Sequence, residues 1–196
     1  MKELLVVEKH LFTVEEYLNL ELTAKYKHEF HDGEIIAMPG GTINHGKIGL
    51  NVAANLKFRL RGKICKAFNS DVAIAINDFS YVYPDISVVC GEPKMGILNK
   101  NSIQNPSLIF EVLSEGTYNY DSGEKFRKYR EISSLQEYVL VDQNLFYVEI
   151  YSKLEDNHWD LRVFQNENDL IKLKSIDSEL SLKEIYDEVD FKTTAS

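Results

Sequence analysis

Residues 108–113 read Leu-Ile-Phe-Glu-Val-Leu, apolar at every position but one. An ionised carboxylate in such a run costs several kcal/mol unless a cation, a metal or strong hydrogen bonds compensate it. Glu111 therefore predicts a positive partner close by. Upstream, Tyr-Pro-Asp-Ile-Ser-Val-Val at 83–89 places Asp85 on the same strand face as Tyr83 and Ser87, with Ile86 and Val88 on the other. Two carboxylates on neighbouring strands form a hard-oxygen site suited to magnesium or manganese. For Asp85 alone, a salt bridge or turn carboxylate is the competing explanation.

A cation follows downstream. Asp121-Ser122-Gly123-Glu124 starts like a capping box and predicts a helix of about ten residues, with Lys125 in its first turn. In a strand–helix–strand crossover that turn lies close to the carboxyl end of the preceding strand, which is the Glu111 end. A lysine there can polarise a water and neutralise charge on a phosphate in the transition state. Lys128 and Tyr129, three and four residues on, can share its face. Other chemistries are poorly supported: Ser114 and Thr117 lack a nucleophile elbow, and the five histidines show no zinc-type spacing.

The elements that must carry these groups can be read from patterning. Thr13 with Glu16 forms a capping box opening a helix to about Leu22. Strands over 26–31 and 34–38 flank Asp32-Gly33, a hairpin dipeptide, before Pro39-Gly40-Gly41 breaks the pattern. Asn44 is a candidate cap for a helix whose Ile48, Val52, Leu56 and Leu60 form one apolar face up to Gly62. Residues 71–76 and 81–89 read as paired strands, with Pro84 marking an edge or bulge. Residues 137–142 form a second strand apolar on both faces, parallel to 108–113 across the crossover. Antiparallel strands over 145–151 and 159–164 and a short amphipathic helix near 180–186 complete an α+β or mixed α/β single domain of residues 1–196.

Composition bounds the function. The chain has 196 residues, 44% hydrophobic, and no apolar run near the ~20 residues needed to span a bilayer. The N-terminus has too short an apolar stretch for a signal peptide and carries acids, so a cytoplasmic location is expected. Cys65 and Cys90 lie 25 positions apart in apolar surroundings, and two separate buried thiols are expected rather than a disulfide or a CxxC site. The net charge of −9 argues against coating nucleic acid by bulk charge. Its distribution is uneven: residues 57–66 carry Lys57, Arg59, Arg61, Lys63 and Lys66 without an acid, and 125–130 carry Lys125, Arg127, Lys128 and Arg130. Residues 149–196 instead hold twelve acids against six bases. Either basic stretch can be a solvated helix face or a polyanion contact.

Pro84-Asp85, the segment Glu111-Val112-Leu113-Ser114-Glu115-Gly116-Thr117, the trio Asp121, Lys125 and Tyr129, and the strand 137–142 together resemble the Uma-type family of endonucleases, within the restriction-endonuclease-like PD-(D/E)XK superfamily. The resemblance extends upstream through Thr13–Tyr17, Glu29–Glu34, Asn44-His45 and Ser70-Asp71, covering a core of about 12–152 and leaving 153–196 as a C-terminal extension. It implies a restriction-endonuclease-like core with a mixed sheet, flanking helices and added antiparallel strands. Asp85 and Glu111 match the family's metal-binding carboxylates, the carbonyl of Val112 could add a ligand, and Glu29 matches an upstream acidic position. Leu113 occupies the usual lysine place of the E-x-K pattern, so Lys125 is expected to serve that role from the helix. His45, Lys128 and Tyr129 are expected near the substrate, His45 touching substrate or Glu29.

The resulting expectation is a magnesium- or manganese-dependent endonuclease that hydrolyses phosphodiester bonds of nucleic acid, DNA in particular, without a covalent intermediate. No membrane partner is expected, and a homodimer is the analogy the superfamily offers. Two rivals stand beside it: a catalytically weak nuclease-like module for nucleic-acid binding or assembly, and a structural protein in which Glu111 and Lys125 simply form a buried ion pair. Residues 57–66 are a candidate phosphate contact.

Overall fold

A computed structural model describes residues 10–38, 40–114, 120–155 and 158–191. The N-terminal segment read for export, Pro39, and Glu115, Gly116 and Thr117 of the family motif lie outside the described residues. The chain is mixed α+β, as the patterning implied. Helix α1 (Val14–Glu21) begins with the expected capping box, Thr13 reciprocating with Glu16. Strands β1 (His28–His31) and β2 (Glu34–Ala37) form a hairpin. Its turn residues Asp32 and Gly33 have φ of 51° and 97°, the positive pair that a two-residue loop requires.

Helix α2 (Ile43–Arg59) is capped by Thr42, which accepts from the His45 N–H, and not by Asn44. Asn44 is buried and turned inward, donating to the Asp190 carbonyl at 2.9 Å. The four-residue apolar repeat holds: Ile48, Val52, Leu56 and Leu60 are all buried. After it come β3 (Cys65–Asn69), β4 (Ala73–Asn77), β5 (Ser80–Val82) and β6 (Ile86–Cys90). Strand β3 was hidden in the basic stretch. The single strand expected over 81–89 is two strands in two different sheets, because Pro84 cannot donate to a ladder and the chain changes sheet there. Then follow β7 (Ser102–Ile103), β8 (Leu108–Leu113), a π-helical turn over Tyr120–Lys125, α3 (Phe126–Tyr129) and β9 (Glu137–Asp142). Turn and helix together make the ten-residue helical segment foreseen. Strands β10 (Val148–Lys153), β11 (Trp159–Phe164), β12 (Leu170–Leu173) and β13 (Ser178–Ser181), with α4 (Leu182–Ile185), complete the chain. The hairpin β12–β13 occupies ground the sequence reading gave partly to the last helix.

A six-stranded sheet runs β11-β10-β9-β8-β6-β3 and a five-stranded sheet β2-β1-β5-β4-β7. The β8–β9 pair is parallel, as the crossover demanded. Alternation along β8 sends Leu108, Phe110 and Val112 into a core shared with α2, α4 and the C-terminal hairpin. It sends Ile109, Glu111 and Leu113 the other way, into a second core with α3 and with Ile74, Val82 and Ile103 of the five-stranded sheet. Beyond that sheet, Tyr17 of α1 stacks on Phe30 and Tyr81. The layers are therefore α1, five-stranded sheet, α3, six-stranded sheet, and α2 with the C-terminal elements.

Cys65 and Cys90 are joined in a disulfide, which corrects the expectation of separate thiols. The unforeseen β3 pairs antiparallel with β6 in a register that sets these two residues directly opposite each other. Among the described residues no helix is long and apolar enough to cross a membrane.

Candidate active site between the two sheets

Five segments of the chain converge where the two sheets face each other. On β1, period-two alternation turns Phe30 outward to α1 and leaves Glu29 and His31 on the inner face. From β8, Glu111 points into the same layer. The π-helical turn brings Lys125, and α3 brings Tyr129. Asp85 sits on the segment by which the chain passes from the five-stranded to the six-stranded sheet.

The Lys125 ammonium lies 2.8 Å from Glu111 Oε1, 3.0 Å from Glu29 Oε1 and 3.6 Å from Asp121 Oδ1. All four residues are at most 5% exposed. Tyr129, fully buried, donates its hydroxyl to Glu111 Oε1 at 2.9 Å. Glu111 Oε2 receives the Asp85 backbone N–H at 3.4 Å, and Asp85 Oδ2 receives the Val112 N–H at 2.7 Å. The two acids are thus cross-linked through each other's backbone. Glu29 Oε1 also accepts the Tyr83 N–H at 3.2 Å, and Glu29 Oε2 faces His31 Nε2 at 3.2 Å.

Position by position, Glu29, Asp85, Glu111 and Lys125 come together. His45, in the first turn of α2, reaches the cluster from the opposite side, with Nε2 3.4 Å from Asp85 Oδ2 rather than near Glu29. Gly41 allows this approach: a Cβ there would stand 2.9 Å from His45 Nδ1. Lys128 points away, towards Asp32 at 3.7 Å and Glu124 at 4.0 Å. Two members were not singled out for the site in the sequence. Asp121 is drawn in as the residue four before Lys125, although it reads as a helix cap; His31 is two after Glu29 on the same strand face.

The basic stretch 57–66 does not face this cluster. His45 and Lys57 are separated along α2 by roughly 18 Å at ~1.5 Å per residue. Lys66 pairs with Val89, towards the end of β6 remote from Asp85. Its neighbours are engaged elsewhere: Arg59 with Glu184, and Lys63 with the Asp177 carbonyl.

The electrostatics are those of a site short of positive charge. Three buried carboxyl groups, those of Glu29, Glu111 and Asp121, surround the Lys125 ammonium. Burial alone would push the Lys125 ammonium down, but Glu111, Glu29 and Asp121 outweigh it and push its pKa well up. Burial pushes Glu29 up as well, yet Lys125 and His31 overcome it and hold the carboxyl at about 2. Glu111 goes the other way: burial, with Asp121 and Asp85 nearby, raises it well above the usual range against the pull of Lys125. The contact with Asp85 raises His45.

The donors present fit a hard divalent ion. Among the described residues no group of three His, Cys, Asp or Glu side chains is placed to hold a metal. An ion here would draw on Asp85 and Glu111, with the Val112 carbonyl, and complete its shell with water and substrate oxygens, as magnesium commonly does.

The Uma2 family, described as "putative restriction endonuclease", matches residues 14–183 of the chain. Two proteins of Synechocystis sp., the uncharacterized proteins sll1609 and slr1290, are each 38% identical, over 84% and 88% of this chain and 94% and 90% of their own lengths. The crystal structure of a "putative nuclease belonging to DUF820" from Anabaena variabilis superposes with a TM-score of 0.74 at 20% identity, covering 89% of this chain and 97% of that one. That likeness makes the fold a restriction-endonuclease-like one with the two-sheet core described above. With the family match spanning most of both sheets and every element that feeds the ion cluster, the chain belongs to the Uma2 family of putative restriction endonucleases.

Proposed function

We propose that the protein is a divalent-metal-dependent endonuclease that hydrolyses phosphodiester bonds of DNA, with magnesium or manganese as the ion. The observation that carries this reading is the convergence of buried carboxyl groups in one layer, Glu29, Glu111 and Asp121 around Lys125 with Asp85 against Glu111, a setting in which a divalent ion would add favourable positive charge. The restriction-endonuclease description of the family favours DNA over RNA.

Asp85 and Glu111, with the Val112 carbonyl, would hold the ion, which when bound supplies Lewis acidity at a phosphoryl oxygen and acidifies water. The rest belongs to the chain. Tyr129 and Lys125 fix Glu111 Oε1, while the Asp85 N–H and Val112 N–H lock the relative orientation of the two acids. Lys125 has three N–H donors; two are engaged at 2.8 and 3.0 Å. The third faces Asp121 at 3.6 Å, too long for a hydrogen bond, and so can be given to a water or to a phosphoryl oxygen whose negative charge grows in the transition state. His45, 26% exposed and seated against Asp85, is the polar group at the more open side of the site.

The test is cleavage of supercoiled and linear DNA with magnesium or manganese, with calorimetric titration of the ion alone. Wild type is expected to nick DNA only with the ion, and Asp85→Ala to lose both cleavage and ion binding. Equal ion binding by wild type and Asp85→Ala removes the site. Cleavage of RNA but not DNA would correct the substrate.

A further inference from the structure

We propose that Ser80, His31 and Glu29 form a positioning relay that aims the Lys125 ammonium at Glu111, with His31 as its central member. This rests on the reading of Lys125 as the charge-stabilising group of the site. The geometry begins with register. Strands β1 and β5 pair antiparallel with His31 directly opposite Ser80, and alternation puts Glu29 and His31 on the same inner face. Ser80 Oγ lies 3.5 Å from His31 Nδ1, His31 Nε2 lies 3.2 Å from Glu29 Oε2, and Glu29 Oε1 lies 3.0 Å from Lys125 Nζ.

Donor and acceptor chemistry gives the chain a direction. An ionised carboxylate only accepts, so Nε2 carries a hydrogen and donates to Glu29. The hydroxyl of Ser80 faces the remaining ring nitrogen, to which it donates in the neutral ring. All these residues are buried, Ser80 at 1%, Glu29 at 4% and His31 at 5% exposure, so water does not replace a missing link.

The relay answers a geometric problem. Lys125 has four rotatable side-chain bonds, and Asp121, on its own helical turn, could draw the ammonium away from the sheet. Glu29 is the counterweight on the opposite wall, and a carboxylate that could rotate freely would not fix a direction. Tyr83 N–H holds one oxygen and His31 the other, so Glu29 has a single orientation. This is the logic by which a histidine or carboxylate behind a reacting group sets its tautomer and aim, with typical losses of about 10- to 100-fold on removal. His31 acts on Lys125 through Glu29.

The experiment compares His31→Leu, which deletes the donor, with His31→Gln, which keeps an N–H near the position of Nε2. The first readout is the Lys125 ammonium resonance in lysine-labelled protein, assigned by its loss in Lys125→Arg. The second is magnesium-dependent DNA cleavage at saturating ion. In wild type a protected ammonium signal is expected, with the His31 ring proton on Nε2 in its nitrogen spectrum. His31→Leu is expected to lose the protected signal and about tenfold or more in rate, with ion affinity unchanged, and His31→Gln to restore both to within a few-fold. Equal losses in the two variants would make His31 a packing residue and overturn the relay. So would a full signal and rate in His31→Leu, or a wild-type ring proton on Nδ1, which needs no variant to fold. Absence of cleavage by wild type with any divalent ion would instead refute the nuclease reading, while the resonances still decide the relay.

Discussion

Replacing Lys125 by Met removes the ammonium that Glu29, Glu111 and Asp121 surround while keeping most of the side-chain volume. The magnitude can be worked from Glu29. Its carboxyl is held at about 2 against an ordinary 4.5, and a shift of that size corresponds to roughly 3 kcal/mol at ~1.4 kcal/mol per unit. His31 supplies part of that hold, but Glu111 and Asp121 lose the same partner, so about 3 kcal/mol is expected at pH 7, in line with the ~3–5 kcal/mol for breaking a buried pair. The sign of the pH dependence follows. A carboxyl whose folded pKa is depressed stabilises the fold above its unfolded value of about 4.5, and this is lost as pH falls towards 2. In the variant the freed carboxyls go up instead, so its folded state takes up protons and gains stability as pH falls from 7 towards 4.5. The gap between wild type and Lys125→Met therefore narrows on acidification. Urea denaturation at pH 7, 6 and 5 measures it. A loss under about 0.5 kcal/mol at pH 7, or a gap that stays constant with pH, would refute the coupling of the lysine to these acids.

Two further perturbations separate the supports of the site from those of the fold. Tyr129→Phe deletes a buried donor to Glu111 and is expected to cost roughly 1–3 kcal/mol, with weaker discrimination of magnesium from calcium as Glu111 loosens; urea denaturation and calorimetry measure the two, and an unchanged stability would show that the hydroxyl does not hold Glu111. Peptide mapping under non-reducing conditions is expected to recover Cys65 and Cys90 as one linked species, and reduction to cost about 3 kcal/mol for a loop of this length, read as a lowered melting temperature; two free thiols in air-oxidised native protein would contradict the disulfide.

The chemistry of the site was legible where a residue type violated its surroundings. Glu111 in an apolar strand demanded a cation, and the crossover rule named the turn that supplies Lys125. What could not be read was pairing between strands distant in sequence. Nothing local says that 81–89 is divided between two sheets, although Pro84 marks the place; the division is what puts Asp85 on the crossing segment and lets its N–H reach Glu111. The same gap hid β3 and therefore the disulfide, because opposition of Cys65 and Cys90 is a property of register and not of spacing. The second role of Asp121 was hidden for a related reason. A carboxylate at a helix start is ordinarily a cap, and only the tertiary position of the turn makes it a member of the buried cluster. Asn44 loses the capping role to Thr42 because its amide is drawn to carbonyls of the C-terminal region.

The net charge of −9 gains a spatial meaning from these contacts. Part of the first basic stretch is used within the chain: Arg59 meets Glu184 across α2 and α4, and Lys63 meets the Asp177 carbonyl, so the acid-rich C-terminal elements cover the basic end of that helix. In the second stretch, Lys125 is buried among acids and Lys128 faces Asp32 and Glu124. Among the described residues of that stretch, Arg127 and Arg130 remain exposed, so few cations near the site are left for a phosphate backbone. Binding to DNA is then expected to show a shallow salt dependence, each phosphate neutralised contributing a slope of about −0.9 in log affinity against log salt for duplex DNA. A divalent ion in the cluster would change that balance at the site itself, adding positive charge among the carboxyl groups that otherwise repel the scissile phosphate. Ion and DNA should therefore bind cooperatively, and fluorescence anisotropy with calcium in place of magnesium, to suppress cleavage, should show tighter DNA binding in wild type and no such gain in Asp85→Ala. Equal DNA affinity with and without the ion would mean that the carboxyl cluster does not act on the substrate.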